Sequence, residues 1–199
     1  MTIRGTNRMN SLKTKAEWRK VMQQQRAGMD GARVLTDSYR IAERVISLIE
    51  FKRAEVVFCY LAFSGEVQTE AIMEAAWKAG KRIAVPCPRD DGEYMPAWHT
   101  PGEPLITGRF SVRKPATPHW AKPDCFNLIL VPGLAFSETG ARLGHGRGFY
   151  DRMLARLGRH VECKTGLCFS NQIAPHLPVA EHDVGMDVII TENAVYRTT

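Results

Sequence analysis

The chain has 199 residues, 44% hydrophobic and 24% charged, with a formal net charge of +6 and a pI of about 9.2. Such a length buries a substantial core as one domain. The composition is that of a globular protein, which argues against a disulfide-stapled miniprotein, a disordered tail or a membrane-spanning bundle. The positive charge suits an anionic partner but is not gathered into a block, and no nucleic-acid motif accompanies it, so no nucleic acid is expected to bind.

Five cysteines (Cys59, Cys87, Cys125, Cys163 and Cys168) make an odd count with no Cys-x-x-Cys pair. Cys59, Cys87 and Cys168 stand in apolar, strand-like runs and read as small buried hydrophobes in a reducing compartment. The polar start of the chain lacks the apolar run of a secretory leader. The expectation is a cytoplasmic monomer without membrane association.

Taken in order, residues 1–10 read as loose, and Ser11 is the expected cap of a helix reaching about residue 29. Trp18, Val21 and Met22 are its sparse apolar side; Lys13, Lys15, Arg19, Lys20 and Arg26 are its basic face. Lys15 and Arg19 stand four apart and repel slightly unless an anion lies between them; the bland alternative is a solvated basic face. Asp30 is placed to cap a second helix over residues 32–50. There Val34, Leu35, Tyr39, Ala42, Val45, Ile46 and Ile49 keep helical periodicity and are assigned to the core.

Residues 55–62 form a buried strand. Thr69 starts a helix through Ile72, Met73, Ala76 and Trp77 that stops at Gly80, and residues 81–86 return as a strand. A β-α-β unit of this kind implies parallel strands with a right-handed crossover. Ligands collect beyond the carboxyl ends of such strands, which brings Leu61 and Glu66 to the ligand side. Glu66 is either such a ligand group or an ordinary loop glutamate.

Residues 86–123 are rich in proline and polar side chains. A short strand and hairpin over 93–98 is expected, the remainder around Arg109–Arg113 is irregular, and the length of the segment suggests a lid facing substrate. Beyond it an apolar strand over 126–131 runs into Pro132-Gly133, where regular structure stops. Gly140, Gly144, Gly146 and Gly148 follow, with Arg142, His145 and Arg147 among them, and helical spacing then aligns Phe149, Met153 and Leu157. Strand, glycine loop and helix start together suit phosphate: backbone N–H groups approach closely, and the helix adds partial positive charge. The loop lacks both the Lys-Ser/Thr ending of a Walker motif and the third glycine of a dinucleotide fingerprint. Asp151, in the first helical turn, gains about 0.3–1 kcal/mol from the helix dipole, and it is also where a magnesium ion bridging phosphates finds an oxygen.

Residues 165–169 are a further short strand and residues 188–191 the last one, with fraying expected after Tyr196. His182, Asp183 and Asp187 lie close together in the chain, although His182 alone reads as structural or exposed.

Arg142-Leu-Gly-His-Gly-Arg-Gly-Phe-Tyr-Asp-Arg152, preceded by Val131-Pro-Gly-Leu-Ala-Phe136, resembles the signature of the 5-formyltetrahydrofolate cyclo-ligase family. The resemblance extends to a Lys-x-x-x-Arg pair on the first helix (Lys15, Arg19), a Glu-x-x-Thr-Glu strand end (Glu66 to Glu70) and an Asp-x-x-x-Asp element (Asp183, Asp187). It departs from the family at Phe149, where tyrosine is usual, and at His145 and Arg147, where residues vary. Phe110 and Pro115 are loose counterparts of a family aromatic and turn.

The resemblance implies a fold of class α/β, a single three-layer α/β/α domain over residues 1–199. Its sheet is Rossmann-like and mostly parallel, of the kind shared by cyclo-ligases and CoA transferase-like proteins. It implies a ligase that closes 5-formyltetrahydrofolate, with or without a polyglutamate tail, to 5,10-methenyltetrahydrofolate, with ATP as co-substrate and Mg2+ as cofactor. By the same resemblance ATP falls to Lys15, Arg19, Arg142, Leu143, Gly144, His145, Gly146, Arg147, Gly148, Phe149 and Tyr150. The folate falls to Leu61, Glu66, His145, Gly146, Arg147, Gly148 and Phe149, and the metal to Asp151 and Asp183. Arg142, Arg147 and Asp151 carry the catalytic role. Competing readings are a non-catalytic nucleotide or folate sensor and a sugar-phosphate isomerase or transferase on a similar fold, since fold alone does not set function.

Overall fold

A computed structural model describes residues 13–63, 65–108, 112–146, 148–157 and 161–198. In chain order the elements begin with helices α1 (Lys15–Ala27), α2 (Gly31–Ser47) and α3 (Ile49–Arg53), then strand β1 (Val56–Phe58) and helix α4 (Glu70–Lys78). Strands β2 (Arg82–Pro88), β3 (Tyr94–His99), β4 (Leu105–Thr107), β5 (Arg113–Pro115) and β6 (Leu128–Pro132) follow. The chain continues with β7 (Ala135–Phe136), β8 (Arg142–Leu143), α5 (Phe149–Leu157), β9 (Cys163–Leu167), β10 (Val188–Ile190) and β11 (Val195–Arg197).

Seven strands form one sheet in the order β11-β10-β9-β6-β1-β2-β3. The five inner strands are parallel, and β3 and β11 close the edges antiparallel. Alternation along the strands sends Val57, Ile83, Leu128, Leu130 and Ile190 into a core with α2, α3 and α4. The intervening Val56, Phe58, Ala84, Ile129 and Ile189 pack with Met153, Leu154 and Leu157 of α5. Helices thus cover both faces, as expected for parallel strands, and the domain has the three layers read from the sequence. Among the inner strands the chain order is second, first, third, fourth, fifth, and it reverses between β1 and β6. The segments leaving those two strands diverge there and open a crevice.

Several elements differ from expectation. Ser11 lies outside the described residues; α1 is capped by Thr14, whose side chain accepts from the Glu17 N–H while Glu17 returns a carboxylate to the Thr14 N–H. Asp30 caps α2 as expected. The helix then breaks at Leu48, whose extended ψ of 142° starts the short α3. Leu35 and Tyr39 of α2 and Ile49 of α3 are exposed, not core: the apolar stripe read for one continuous helix is wider than the surface the sheet offers it. The segment around Arg113 is not wholly irregular, because β4 and β5 pair there as a two-stranded ribbon. Strand β10 is not the last; β11 pairs with it, and the Thr198 N–H donates to Asp187 O at 3.0 Å, so backbone pairing continues past Tyr196. All five cysteines are free, and burial pushes the Cys59 thiol up to about 12.

Candidate functional site

The crevice between β1 and β6 opens into a cavity of about 510 Å³. One wall is the glycine-rich segment. It does not run straight from β6 to α5, as the spacing suggested: β7 and β8 first form a two-stranded hairpin. Pairing buries Leu143 with Met22 and Leu134 and brings Arg142 round to the cavity. Gly144, His145, Gly146 and Gly148 follow as lining, and α5 starts at Phe149, so its free N–H groups open at the same place. Gly146 has φ +92°, and a Cβ there would fall 3.2 Å from the guanidinium carbon of Arg19. A left-handed backbone and an arginine laid against it both require glycine.

Helix α1 supplies this wall's cations. Arg19 Nε donates to the Gly144 carbonyl at 3.0 Å. One turn earlier Lys15 forms an ion pair with Asp183, which also accepts from the Ala180 N–H at 2.7 Å. Partial burial alone would raise the Asp183 carboxyl; the Lys15 and Ala180 hydrogen bonds outweigh it and hold the group below the usual carboxylate range. Behind the loop, Arg142 Nη2 donates to Asp151 at 2.5 Å, with the arginine side chain only 3% exposed. Its Nε is buried without a hydrogen-bond partner among the described residues, so this cation retains a donor to offer.

The opposite wall is aromatic. Phe149 lies between Tyr94, with ring centroids 4.1 Å apart, and Tyr150 at 4.8 Å. A second lobe of about 420 Å³ shares Phe63, Glu66, Tyr94, Phe149 and Tyr150 with the first and adds Leu61 and Ala62. Glu66 stands where the lobes meet. It accepts from the Phe63 N–H at 2.9 Å and faces Arg26 at 3.3 Å. Burial pushes its carboxyl above the ordinary range, although the Arg26 charge and the Phe63 N–H pull it part of the way back.

The structure therefore brings together Arg142, Gly144, His145, Gly146, Gly148, Phe149, Tyr150 and Glu66 on one cavity, and Leu61 on its second lobe. Arg19 touches that wall from outside and Asp151 stands behind Arg142, while Lys15 and Asp183 pair with each other and do not line the cavity. Leu143 is different: its side chain belongs to the core, leaving only its backbone near the loop. Arg147 and Phe110 lie outside the described residues. Asp187, the second acid of its element, is spent on Lys164 at 2.8 Å, and the side chain of His182 is 79% exposed. Sequence reading missed Arg26 and Tyr94. The stripe Lys15, Arg19, Met22, Arg26 was a signal for the first; nothing local marked the second.

An α/β protein with a glycine loop, buried arginines and an aromatic pocket at its topological switch point has the makings of an enzyme for a phosphorylated and a flat heteroaromatic ligand. The family model described as the 5-formyltetrahydrofolate cyclo-ligase family matches residues 11–192, and the chain belongs to that family. It is an enzyme, a ligase that forms a C–N bond. The 5-formyltetrahydrofolate cyclo-ligase of Mus musculus is 30% identical over 181 residues, covering 80% of this chain and 84% of the relative. A probable cyclo-ligase of Caenorhabditis elegans is 31% identical over 165 residues, covering 76% and 80%. The solved structure of the Aquifex aeolicus 5,10-methenyltetrahydrofolate synthetase superposes with a TM-score of 0.79 at 31% identity, covering 92% of each chain. That of the Mycoplasma pneumoniae synthetase, at 21% identity and TM-score 0.74, supports the fold. Among the described residues no helix is long and apolar enough to cross a membrane.

Proposed function

We propose that the protein closes 5-formyltetrahydrofolate to 5,10-methenyltetrahydrofolate in an ATP- and magnesium-dependent reaction that releases ADP and phosphate. The observation that carries this reading is the shared wall. Glu66, Phe149 and Tyr150 line both lobes, so a ligand on the glycine loop and a ligand on the aromatic pocket touch where those lobes meet.

The chemistry explains why two adjoining lobes are needed. A formamide oxygen is a weak nucleophile and a poor leaving group. Transfer of the γ-phosphoryl to that oxygen gives a phosphorylated iminium; N10 attacks its carbon, the C–O bond breaks, phosphate departs with the former formyl oxygen, and N10 gives up its proton. The protein's share is positioning and charge stabilisation. Lys15, Arg19 and Arg142, with the backbone of residues 143–148 and the ring of Tyr150, hold the triphosphate. Glu66 accepts paired hydrogen bonds from the aminopyrimidine edge of the folate, Leu61 packs beside it, and Phe149 stacks. His145 and the loop glycines form the boundary that both ligands share; for Arg147 the role in binding both ligands rests on the family resemblance alone.

For magnesium, the donor set fits one arrangement and not another. Among the described residues no group of three acids, histidines or cysteines is placed to cage a metal. Asp151 follows the loop on α5 and Asp183 comes from a separate segment, and magnesium held with phosphate takes one or two carboxylates, the rest of its shell being phosphate oxygen and water. When bound there the ion neutralises charge on the transferring phosphoryl group. Until then Arg142 and Lys15 balance the two carboxylates.

The test is to follow methenyltetrahydrofolate absorbance from 5-formyltetrahydrofolate with and without ATP and magnesium. Product should form only with both present. Turnover without ATP would reject the reading and favour an isomerase or transferase.

A further inference from the structure

Helix α1 meets the rest of the protein along one stripe. Lys15, Arg19, Met22 and Arg26 follow at four-, three- and four-residue steps, which a helix of 3.6 residues per turn lines up on one face. Lys15 holds Asp183, Arg19 holds the Gly144 carbonyl, and Met22 enters the apolar cluster with Leu134 and Leu143. Arg26 has no part in the reaction set out above. Its guanidinium nonetheless lies on Glu66, with Nη2 3.3 Å from Oε1 and the two side chains only 9% and 13% exposed.

We infer that Arg26 is a positioning residue for the folate: it aims the Glu66 carboxylate and sets a positive charge beside it, so that paired donors of the aminopyrimidine edge meet oxygens already set in place. The inference rests on the reading of Glu66 given above. The geometry leaves room for that role. Oε2 accepts from the Phe63 N–H at 2.9 Å and Oε1 faces Arg26, yet each carboxylate oxygen retains a second lone pair. At 3.3 Å the arginine stands beyond the 2.7–2.9 Å of a tight charge-assisted bond, so it orients the oxygen without consuming it.

The local backbone is shaped around this contact. Gly65 has φ +72°, and a Cβ there would fall 2.8 Å from Arg26 Cγ and 3.0 Å from its Nε. The turn closed by Glu66 N–H on Phe63 O thus omits a side chain where the arginine crosses it. Beyond the turn, Tyr60 Oη donates to Val67 O at 3.0 Å and fixes the far side.

The surrounding charges point the same way. Arg26 faces Glu66 from α1, Tyr60 from the segment after β1, and Tyr150 from α5. Both phenols are pushed well up, chiefly by burial, and remain neutral, so Arg26 supplies the positive charge that opposes the burial of Glu66.

The experiment measures steady-state kinetics of Arg26→Gln, Arg26→Lys and Glu66→Gln in the full chain, with each substrate varied across pH. In Arg26→Gln the KM for 5-formyltetrahydrofolate should rise about tenfold while kcat and the KM for ATP stay within about twofold. The acidic limb of log(kcat/KM) for the folate should move to higher pH, because a carboxyl without its cation takes up a proton sooner. Arg26→Lys should restore the limb but only part of the KM, since an ammonium keeps the charge and loses the planar fork. An unmoved limb, or an equal rise in both KM values, overturns the inference. Should Arg26→Gln fail to fold, the folate KM of Arg26→Lys decides: a raised value supports the role and a wild-type value overturns it. Glu66→Gln separates the two claims. An unchanged folate KM there removes Glu66 from the folate site and the cavity reading with it, whereas a raised KM beside a wild-type value in Arg26→Gln overturns only the role of Arg26.

Discussion

Arg26–Glu66 and Arg197–Glu50 join the same two functional groups in two regions of the molecule, and they are made unequally. At the sheet edge Arg197 forks onto Glu50, Nη1 at 2.6 Å and Nη2 at 3.2 Å from the two oxygens, with the arginine 54% exposed. In the cavity Arg26 reaches Glu66 over 3.3 Å with both side chains nearly buried. The hydrogen bonds from Arg197 hold the Glu50 carboxyl below its ordinary value, whereas burial pushes Glu66 above it against the pull of Arg26. The balance between desolvation and hydrogen bonding decides which way a carboxylate moves: burial leads at Glu66, and the Arg197 hydrogen bonds lead at Glu50. The well-made pair ties a strand to a helix. The looser one leaves a buried carboxylate with lone pairs still open, the condition of a group that waits for a ligand.

A third pair lets that comparison be broken most forcefully. Arg142 and Asp151 combine the burial of one with the close approach of the other, at 2.5 Å and with the arginine 3% exposed. Asp151→Asn keeps the volume, removes the counter-charge of a buried guanidinium and removes a proposed metal ligand. Turnover at saturating magnesium should fall on the order of a hundredfold. Urea melts should show a loss of about 2 kcal/mol, less than for a wholly buried pair because Asp151 is partly exposed. Unchanged turnover at saturating magnesium would take Asp151 out of the metal site, whatever happened to stability.

A smaller effect isolates the crowding at Arg26. Gly65 and Gly80 have nearly the same backbone, φ +72° and +73°, but a Cβ at Gly65 meets Arg26 while one at Gly80 meets nothing within 4 Å. Alanine at either position should cost about 1 kcal/mol through left-handed strain. Only Gly65→Ala should also displace the arginine and raise the folate KM. Equal folate KM values in the two variants would show that the contact has no functional weight.

How far the sequence made this legible depended on how local each signal was. The glycine loop and the helix starting at Phe149 were readable because spacing and backbone demand lie within one short stretch. The cap of α1 was misread although Thr14-x-x-Glu17 stood in plain view, because Ser11 offered the same chemistry three residues earlier. The hairpin of β7 and β8 was hidden, since two paired residues on each side leave no periodicity. The edge strand β11 was hidden for the same reason: three residues, half exposed, pair with one neighbour only. Arg26 and Glu66 could each be seen, as a basic helix residue and a loop glutamate. That they meet depends on the packing of α1 against the segment that follows β1, and no local pattern records it.

The smallest effect is the one whose sign best separates the two regions. The folded-state carboxyl of Glu50 is lowered from 4.5, so its contribution to stability is present above that value and is lost as pH falls through the folded one. Arg197→Met should therefore cost less than about 1 kcal/mol at neutral pH, as exposed pairs do, and the gap to wild type should close on acidification below 4.5. Glu66 titrates the other way. Its folded value is raised, so its contribution is fully present below 4.5 and lost as pH rises through the folded value. Measured against Glu66→Gln, the wild type should gain stability on acidification. Melting temperatures of wild type, Arg197→Met and Glu66→Gln across the acid range check both slopes at once. If the two gaps ran in the same direction, burial would not be what distinguishes the pair at the cavity from the pair at the edge, and Arg26 would be only a second structural tie.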